Sequence, residues 1–369
     1  MTSSFLEKNI LLISPEAWGV NHVSKHHYAI ELAKTGAHVY FLNPPSNAFS
    51  CTEAQPNLYL LDYKPKYKGL KHLPKFISSF LTKREVKSIE KFLSTEFDIL
   101  WNFDSSRFFN LAGIKNKLKI CHIVDMAENI QRPLLAKTSD FCFCTSDYIK
   151  KELELYNPKV FKIHHGYSLV NQISDTKEFF DTNRLQVGFV GNLSRACIDW
   201  NVIFELVETH PLVQFNFIGS YKASNLSRSD IENKILERLE NKANITLLGQ
   251  KGSELLPNYF AKFDLLLCVY KIENKQDIAQ HSNLHKIMEY LGSGKIVLTS
   301  YVDEYKKDTT LLEMTKNNKD IPKVFNRIIS NLNFYNNQEN QGRRIAFALE
   351  NVYSKQIKRI TNIITNEAQ

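Results

Sequence analysis

The sequence has little that would support a disulfide framework, a zinc module or a membrane span. Six cysteines occur in 369 residues, and none form a C-x-x-C pair, so the spacing typical of zinc and thioredoxin-like sites is absent. No run of about 18 apolar residues occurs, so no membrane-spanning helix is expected. The amino-terminal stretch MTSSFLEKNILLIS has no basic region before its apolar run, which argues against a signal peptide. These absences predict a protein of a reducing, cytoplasmic compartment.

The composition is that of an ordinary globular protein with a basic surplus. Hydrophobic residues make up 43% of the chain and charged residues 23%, which is not the composition of a disordered protein. A length of 369 residues predicts two domains, because single cores rarely grow beyond about 250–300 residues. The formal net charge of +8 favours an anionic partner such as a phosphate, a nucleic acid or an acidic membrane surface.

Strand-like and helix-like segments alternate along the chain. Apolar runs suited to buried strands occur first at residues 9–14, 38–43, 57–63, 98–103, 118–124 and 140–145. A second series occurs at residues 185–191, 213–219, 243–249, 263–270 and 295–300. Helical patterns lie between them, such as 23–36, where Gly36 should end the helix. This alternation predicts an α/β fold, with parallel sheets covered by helices on both faces.

A polar, irregular stretch at 167–184 interrupts the alternation and predicts a linker. We therefore expect a first doubly wound domain at 1–166 and a second at 185–340. The last stretch, 341–369, has a helical pattern and is expected to pack back toward the first domain. Because ligands bind at the carboxyl ends of the strands in open α/β sheets, two such domains predict a site in a cleft between them.

The segment HSNLHKIMEYLGSGKIVLTS, residues 281–300, carries the densest set of candidate site residues. A helix beginning near Ser282 or Asn283 would present free backbone N–H groups and the positive end of its dipole, which together bind phosphate. Lys286, one turn into the helix, would reach a diphosphate, and a carboxylate at Glu289 would accept ribose hydroxyls. The alternative is an ion pair between Lys286 and Glu289 on a solvated helix face.

Four ordered segments resemble glycosyltransferases of the GT-B fold. SNLHKIMEYLGSGKIVLTS resembles the P-x-K-x-x-E-Y-L-A-x-G-K-P-V-V segment of the bacterial teichuronic-acid and xanthan-type sugar transferases and of the broader GT4 family. Residues 187–203 resemble that family's first strand and phosphate loop of the second domain, 163–168 its domain junction, and 14–45 its first strand, loop and helix. The resemblance implies two Rossmann-like domains and transfer of a sugar from a nucleotide-sugar donor, with no metal or other cofactor.

The resemblance also implies donor-binding roles in the second domain. Lys286 matches the lysine that faces the diphosphate, and Glu289 matches the acid that holds the ribose. Arg195 matches a basic residue opposite the diphosphate, with a solvated loop residue as the alternative, and Gly191 at the start of that loop is a further candidate contact. His281 stands where retaining members have a glutamate against the donor sugar, which leaves the anomeric outcome and the donor open.

The first domain is expected to supply the acceptor side. Asp125 ends an apolar strand and resembles the aspartate base of the xanthan-type glucuronosyltransferases, which would take the acceptor proton; capping of the next helix is the alternative. Gly19, His27 and His165 are candidate substrate contacts. Their alternatives are a plain turn, a surface histidine and a hinge turn without contacts. His122 is expected to be packed in the core rather than catalytic.

Residues 62–92 contain nine Lys or Arg against three acids, interleaved with aromatic and aliphatic residues. This mixture favours an anionic membrane surface as partner, with a solvated helix face as the alternative. No RNA- or DNA-binding motif accompanies it, so no nucleic-acid partner is expected.

The chain is thus predicted to be a cytoplasmic glycosyltransferase, peripheral on the inner face of the cell membrane, that transfers a sugar from a UDP- or GDP-linked donor. Its acceptor would be a saccharide or lipid-linked acceptor of cell-surface polysaccharide synthesis. A sugar-nucleotide epimerase of the same fold and a non-catalytic nucleotide- or glycan-binding relative are the alternatives.

Overall fold

A computed structural model of the chain describes residues 5–19, 21–126, 131–169, 180–181, 183–221, 231–281, 283–308 and 310–367. The chain divides into two compact units. The first is formed by Met1–Gly166 together with Tyr353–Gln369, and the second by Tyr167–Val352. Within the described part of the chain, no helix is both long and apolar enough to cross a bilayer.

Each unit is built around one sheet. The first sheet contains β1 (Asn9–Ile13), β2 (His38–Leu42), β3 (Ser50–Gln55), β4 (Leu58–Asp62), β5 (Ile99–Asn102), β6 (Leu118–Ile123), β7 (Phe141–Cys144) and β8 (Val160–Lys162). The second sheet contains β9 (Gln186–Val190), β10 (Gln214–Ile218), β11 (Ile245–Gly249), β12 (Leu265–Cys268), β13 (Ile296–Thr299) and β14 (Glu313–Met314). Their spatial orders are β3-β4-β2-β1-β5-β6-β7-β8 and β11-β10-β9-β12-β13-β14. The neighbouring strands run parallel, apart from the antiparallel pair β3 and β4.

Helices connect the strands in both units. In the first unit they are α1 (Ser24–Lys34), α2 (Lys75–Leu93), α3 (Arg132–Thr138) and α4 (Asp147–Leu153). The second unit contains α5 (Trp200–Thr209), α6 (Asn233–Glu240), α7 (Leu256–Lys262), α8 (Lys275–Gln280), α9 (His285–Gly292), α10 (Ile321–Ser330), α11 (Leu332–Tyr335) and α12 (Gln338–Glu350). The final helix, α13 (Tyr353–Glu367), belongs to the first unit. Gly36, with φ +87°, follows the end of α1 as predicted, because a left-handed residue stops a helix at low cost when it is glycine.

Strand β1 explains why the first sheet is covered on both faces. Ile10 and Leu12 belong to one apolar cluster, whereas Leu11 and Ile13 belong to another. Successive strand residues point to opposite faces, so a continuous apolar run needs helices on both sides. The predicted doubly wound α/β class is confirmed in both units.

The chain returns to the first unit later than the sequence pattern suggested. Helix α12 packs against α9 inside the second unit. The buried Arg344 of α12 donates to the carbonyl oxygens of Leu311 and Gly294, each at 2.9 Å. A guanidinium that caps two buried carbonyls ties α12 to the second unit, so the return begins at Tyr353 rather than at residue 341.

Candidate functional site

Helix α9 begins later than its sequence pattern predicts. Its first residue is His285, and Leu284 occupies the N-cap position with no side-chain capping hydrogen bond. The predicted start near Ser282 or Asn283 is wrong, because α8 ends only at Gln280 and Leu284, rather than either of those residues, occupies the N-cap position of α9. Asn283 is buried between α8 and α9, and Ser282 lies outside the described residues.

Two side chains of α9, one turn apart, bind backbone groups of the same residue at the end of β9. The Lys286 ammonium donates to the Val190 carbonyl oxygen at 2.7 Å, and the Val190 N–H donates to the Tyr290 hydroxyl at 2.8 Å. Residues four apart lie on one helix face. The pair therefore fixes α9 against the carboxyl end of β9, the edge at which parallel sheets bind ligands.

Tyr270 completes the surroundings of the Lys286 ammonium. Lys286 also donates to the Tyr270 hydroxyl, and the Tyr270 ring stacks on His281 with ring centroids 5.0 Å apart. Burial alone would lower the pKa of Lys286, but Tyr270 and Cys268 outweigh it, so the pKa of Lys286 is raised. Lys286 is therefore a cation in a fixed position. Sequence reasoning missed Tyr270, although its place two residues beyond β12, at the carboxyl edge of the sheet, was a usable signal.

Glu289 lies on α9 with its side chain partly accessible. The side chain is 21% exposed, and its Oε1 lies 3.6 Å from Nδ1 of His285. Burial raises the pKa of Glu289 to about 7. Because the Lys286 ammonium faces Val190 and Tyr270, the alternative of a solvated Lys286–Glu289 ion pair is wrong. Glu289 is thus a partly buried carboxyl that a ligand hydroxyl can reach.

Two glycines allow close approach around the loop that follows β9. A Cβ at Gly191 would lie 2.5 Å from Lys286 Nζ, and a Cβ at Gly219 would lie 1.7 Å from the Gly191 carbonyl oxygen. Arg195, further along the loop, is exposed. The pKa of His281 is lowered, first by burial and second by the positive charge of Arg195. The second unit therefore gathers Gly191, Arg195, His281 and Lys286 into one basic neighbourhood.

Asp125 follows β6 in the first unit and is exposed. The next described helix, α3, has Gln131 in its N-cap position and no side-chain cap, so Asp125 does not cap α3. An accessible carboxylate at the carboxyl end of a parallel strand is well placed to act as a base. Glu128, which follows it in the sequence, lies outside the described residues.

The histidines of the first unit that sequence analysis selected are buried. His27 stacks on Tyr353 with ring centroids 5.0 Å apart, so the alternative of a surface histidine there is wrong. His165 has its Nδ1 at 3.2 Å from the Ser24 hydroxyl oxygen. His122 accepts a hydrogen bond from an indole N–H at 3.3 Å, and the prediction that it is packed is confirmed.

The carboxyl edge of the first sheet carries a cavity of about 340 Å³. Segments that follow β2, β4 and β5 form its mostly apolar wall. The lining includes Pro45, Tyr63, Tyr67, Leu70, Arg107 and Phe108. Gly19 is half-buried in the loop after β1, at the same edge of the sheet. The first unit thus offers a concave site of the size that binds small ligands.

No candidate metal centre emerges from the part of the chain that the structure describes. Within it, no three His, Cys, Asp or Glu side chains lie together as a metal-binding group. The six cysteines are free thiols, four of them buried, where cysteine packs as a small apolar residue.

The two sheets with their helices give this chain the GT-B fold, two Rossmann-like α/β units in one polypeptide. No protein-family model and no curated protein sequence matches the chain. Solved structures match it over nearly its whole length.

The chain is similar to sucrose-phosphate synthase from Thermosynechococcus elongatus, at 12% identity over 97% of this chain and 98% of that chain, with a TM-score of 0.70. It is similar to a glycosyltransferase from Rickettsia africae, at 12% identity over 98% of both chains, with a TM-score of 0.68. It is also similar to HepE from Anabaena in complex with UDP-glucose, at 11% identity over 97% of this chain and 100% of that chain, with a TM-score of 0.65. At identities this low, the structural similarity shows the fold alone. The reaction has to be argued from the chemistry of the site.

Proposed function

We propose that the chain is a metal-independent glycosyltransferase that moves a sugar from a UDP- or GDP-linked donor to a saccharide or lipid-linked acceptor. The observation that carries the proposal is the Lys286 cation, fixed at the carboxyl end of β9 by Val190 and Tyr270. The likeness to solved glycosyltransferase structures supports it, one of which is a complex with UDP-glucose. The product would belong to a cell-surface polysaccharide or glycolipid assembled at the cytoplasmic face of the membrane.

In this proposal the second unit binds the donor. Lys286 and Arg195 neutralise the diphosphate as the glycosidic bond breaks, which is the electrostatic stabilisation that contributes most to such reactions. Glu289 accepts the ribose hydroxyls, and those hydrogen bonds favour its ionised form over the neutral one. His281 and Asn283 line the same region, and Ser282, outside the described residues, remains a candidate contact. The two cations take the place of a metal ion.

Asp125 is proposed as the catalytic base of the first unit. The acceptor hydroxyl oxygen attacks the anomeric carbon while its proton passes to the Asp125 carboxylate. The bond between the anomeric carbon and the diphosphate oxygen breaks, and the nucleoside diphosphate leaves with the electron pair. One displacement of this kind inverts the anomeric configuration. Gly19, His27 and His165 are proposed contacts to acceptor or donor, and the apolar cavity after β2, β4 and β5 is the proposed acceptor pocket.

The donor site is tested by calorimetry with UDP and GDP on the wild type and on Lys286→Ala. Loss of a charge-assisted contact to phosphate is expected to weaken binding by about tenfold or more. Lys323→Ala, which removes an exposed lysine of α10 in the same unit, is the matched control and should bind as the wild type does. Equal affinities of all three proteins for UDP and GDP would show that Lys286 does not bind the diphosphate.

The reaction is tested by product analysis on the wild type and on Asp125→Asn. Asp125→Asn is expected to retain donor binding in calorimetry and to lose transfer by about a hundredfold or more.

Incubation with donor alone distinguishes a transferase from an epimerase, because a transferase would release at most a little free sugar whereas an epimerase would convert the donor. If no nucleoside diphosphate raises the melting temperature, a non-catalytic binding protein becomes the better description.

A further inference from the structure

The first half of α2 buries polar side chains and exposes aromatic ones. Ser78, Ser79 and Thr82 face the protein and are buried. Phe76 and Phe80, one turn apart on the opposite side, are 76% and 52% exposed. A helix that packs on a core and faces water has the reverse arrangement. The outward face of α2 is therefore suited to an apolar environment rather than to water.

The apolar exposure continues into the turn that precedes α2. Residues 71–76 are all exposed, and Leu73 is 38% exposed. Leu73, Phe76 and Phe80 therefore present large apolar side chains along one short stretch of chain. Single exposed apolar residues are ordinary, but a group of them bordered by polar residues marks an interaction site.

The exposed charged residues near this group, within residues 64–84, are all positive. Exposed cations occur at Lys64, Lys66, Lys68, Lys71, Lys75, Lys83 and Arg84. The acids of the same stretch, Asp62 and Glu85, are not exposed and are hydrogen-bonded to neighbouring residues. Asp62 accepts hydrogen bonds from Asn43 and Ser50, both at 2.9 Å, and the buried Glu85 accepts the backbone N–H of Lys66 at 3.1 Å. The surface around the three apolar side chains is consequently positive.

One of these cations lies against an aromatic ring of the group. The Arg84 guanidinium lies 4.7 Å from the centroid of the Phe80 ring, a cation–π distance. Lysine and arginine keep their charged ends in a polar layer while apolar neighbours enter hydrocarbon. Such an arrangement matches an anionic bilayer, in which phosphates lie above the acyl chains.

We infer that Leu73, Phe76 and Phe80, with Lys71, Lys75, Lys83 and Arg84, form a docking face for an anionic lipid bilayer. The three apolar side chains enter the boundary between headgroups and acyl chains, and the four cations contact lipid phosphates. Nucleic acid would use the cations but leave the exposed Leu73 and Phe76 without an apolar partner. The inference does not depend on the proposed transferase activity, and the experiment that follows measures binding alone.

The docking face is tested by sedimentation of the full chain with vesicles of phosphatidylcholine, with and without phosphatidylglycerol. The wild type is expected to bind the mixed vesicles and to be released by salt, because screening weakens the cation–phosphate attraction. The double variant Phe76→Ser with Phe80→Ser should bind the mixed vesicles about tenfold more weakly than the wild type, or not at all. The matched control is Leu212→Ser with Phe334→Ser, which removes side chains 78% and 65% exposed in the second unit and should leave binding unchanged.

Several outcomes would overturn the docking face. Binding by the Phe76/Phe80 double variant equal to that of the wild type would do so, as would equal binding to pure phosphatidylcholine. Capture of single-stranded RNA in place of vesicles would assign the cations to nucleic acid. Vesicle-independent self-association that disappears in the double variant would assign the face to a second copy of the chain.

A second measurement does not depend on loss of binding. Phe76→Trp keeps an aromatic ring at the face, and its fluorescence should be quenched by mixed vesicles that carry brominated acyl chains. Phe334→Trp in the same vesicles should show no added quenching over the three native tryptophans. Identical quenching of the two tryptophan variants would reject insertion at α2, even if the serine variants proved unstable.

Discussion

The Lys286 ammonium owes its position to two oxygen acceptors that a surface lysine would not have. It donates to the Val190 carbonyl and to the Tyr270 hydroxyl, and both partners are far from it in the sequence. A hydrogen bond to a charged group contributes about 1.5–3 kcal/mol to stability. Tyr270 is therefore a positioning residue for the proposed donor-binding cation.

Replacing the Tyr270 hydroxyl tests this contribution directly. Tyr270→Phe retains the ring on His281 but removes the acceptor, so the free energy of unfolding is expected to fall by about 1.5–3 kcal/mol in urea denaturation. Tyr305→Phe is the matched control, because the buried Tyr305 hydroxyl has no hydrogen-bond partner among the described residues. That variant should be neutral or slightly stabilising, and equal losses in the two variants would contradict the role of Tyr270.

Glu289 predicts an unusual dependence of stability on pH. Its pKa is raised by burial from 4.5 to about 7, so between these values the folded chain keeps a proton that the unfolded chain has released. Stability is then lost as pH rises through this window, by up to about 3 kcal/mol. Glu289→Gln removes the effect and should gain stability relative to the wild type as pH rises from 4.5 to 7. Unfolding free energies of the two proteins that stay parallel across the window would contradict the raised pKa.

At the scale of elements, the carboxyl edge of the second sheet depends on two backbone loops that lie in contact. The loop after β10 brings Gly219, with φ +152°, against the carbonyl of Gly191 in the loop after β9. A side chain at Gly219 would overlap the carbonyl oxygen of Gly191, and this backbone atom cannot move aside as a flexible side chain can. The contact sets the loop that carries Arg195 and leaves room for the Lys286 ammonium.

Gly219→Ala is expected to lower the free energy of unfolding by about 2–4 kcal/mol, because its Cβ would overlap a backbone oxygen. Gly249→Ala at the end of β11 is the matched control. It also has a positive φ, +70°, but no atom lies within 4 Å of its added Cβ, so only about 1 kcal/mol of backbone strain is expected. Thermal or urea unfolding of both variants measures the difference, and equal losses would show that the loop contact is unimportant.

At the scale of the whole molecule, the two units should respond differently to acid. Burial lowers the pKa of His26 to about 4, of His122 to about 3 and of His164 to about 4. All three histidines belong to the first unit. Their folded pKa values lie below the ordinary 6.5, so the unfolded chain binds protons first as the pH falls, and stability present above 6.5 is lost toward pH 4.

Hydrogen exchange of the full chain, resolved by peptide and corrected for the intrinsic rate, measures this difference. Peptides of the first unit should lose protection before those of the second as the pH falls from 6.5 toward 4. His122→Phe, which keeps an apolar ring among aromatic neighbours, should reduce that loss. Earlier opening of the second unit, or an unchanged profile in His122→Phe, would contradict the assignment of acid sensitivity to buried histidines.

The strands that sequence analysis missed share a cause. β3, with the sequence SCTEAQ, and the short β8 and β14 have no continuous apolar run. They lie at sheet edges, where burial on both faces is not required and polar residues are tolerated. The predicted start of α9 failed for another reason: Asn favours caps and turns alike, and Asn283 lies between α8 and α9 while Leu284 occupies the N-cap position.

By itself the sequence determined the α/β class, two doubly wound units and every strand that is buried on both faces, because apolar periodicity is a local property of the chain. Only the tertiary structure decided where Lys286 points, since its acceptor Val190 is 96 residues away. The same holds for Tyr270 and for the outward aromatic face of α2. Which side of a helix meets protein or solvent depends on packing against distant segments, and no local pattern contains that information.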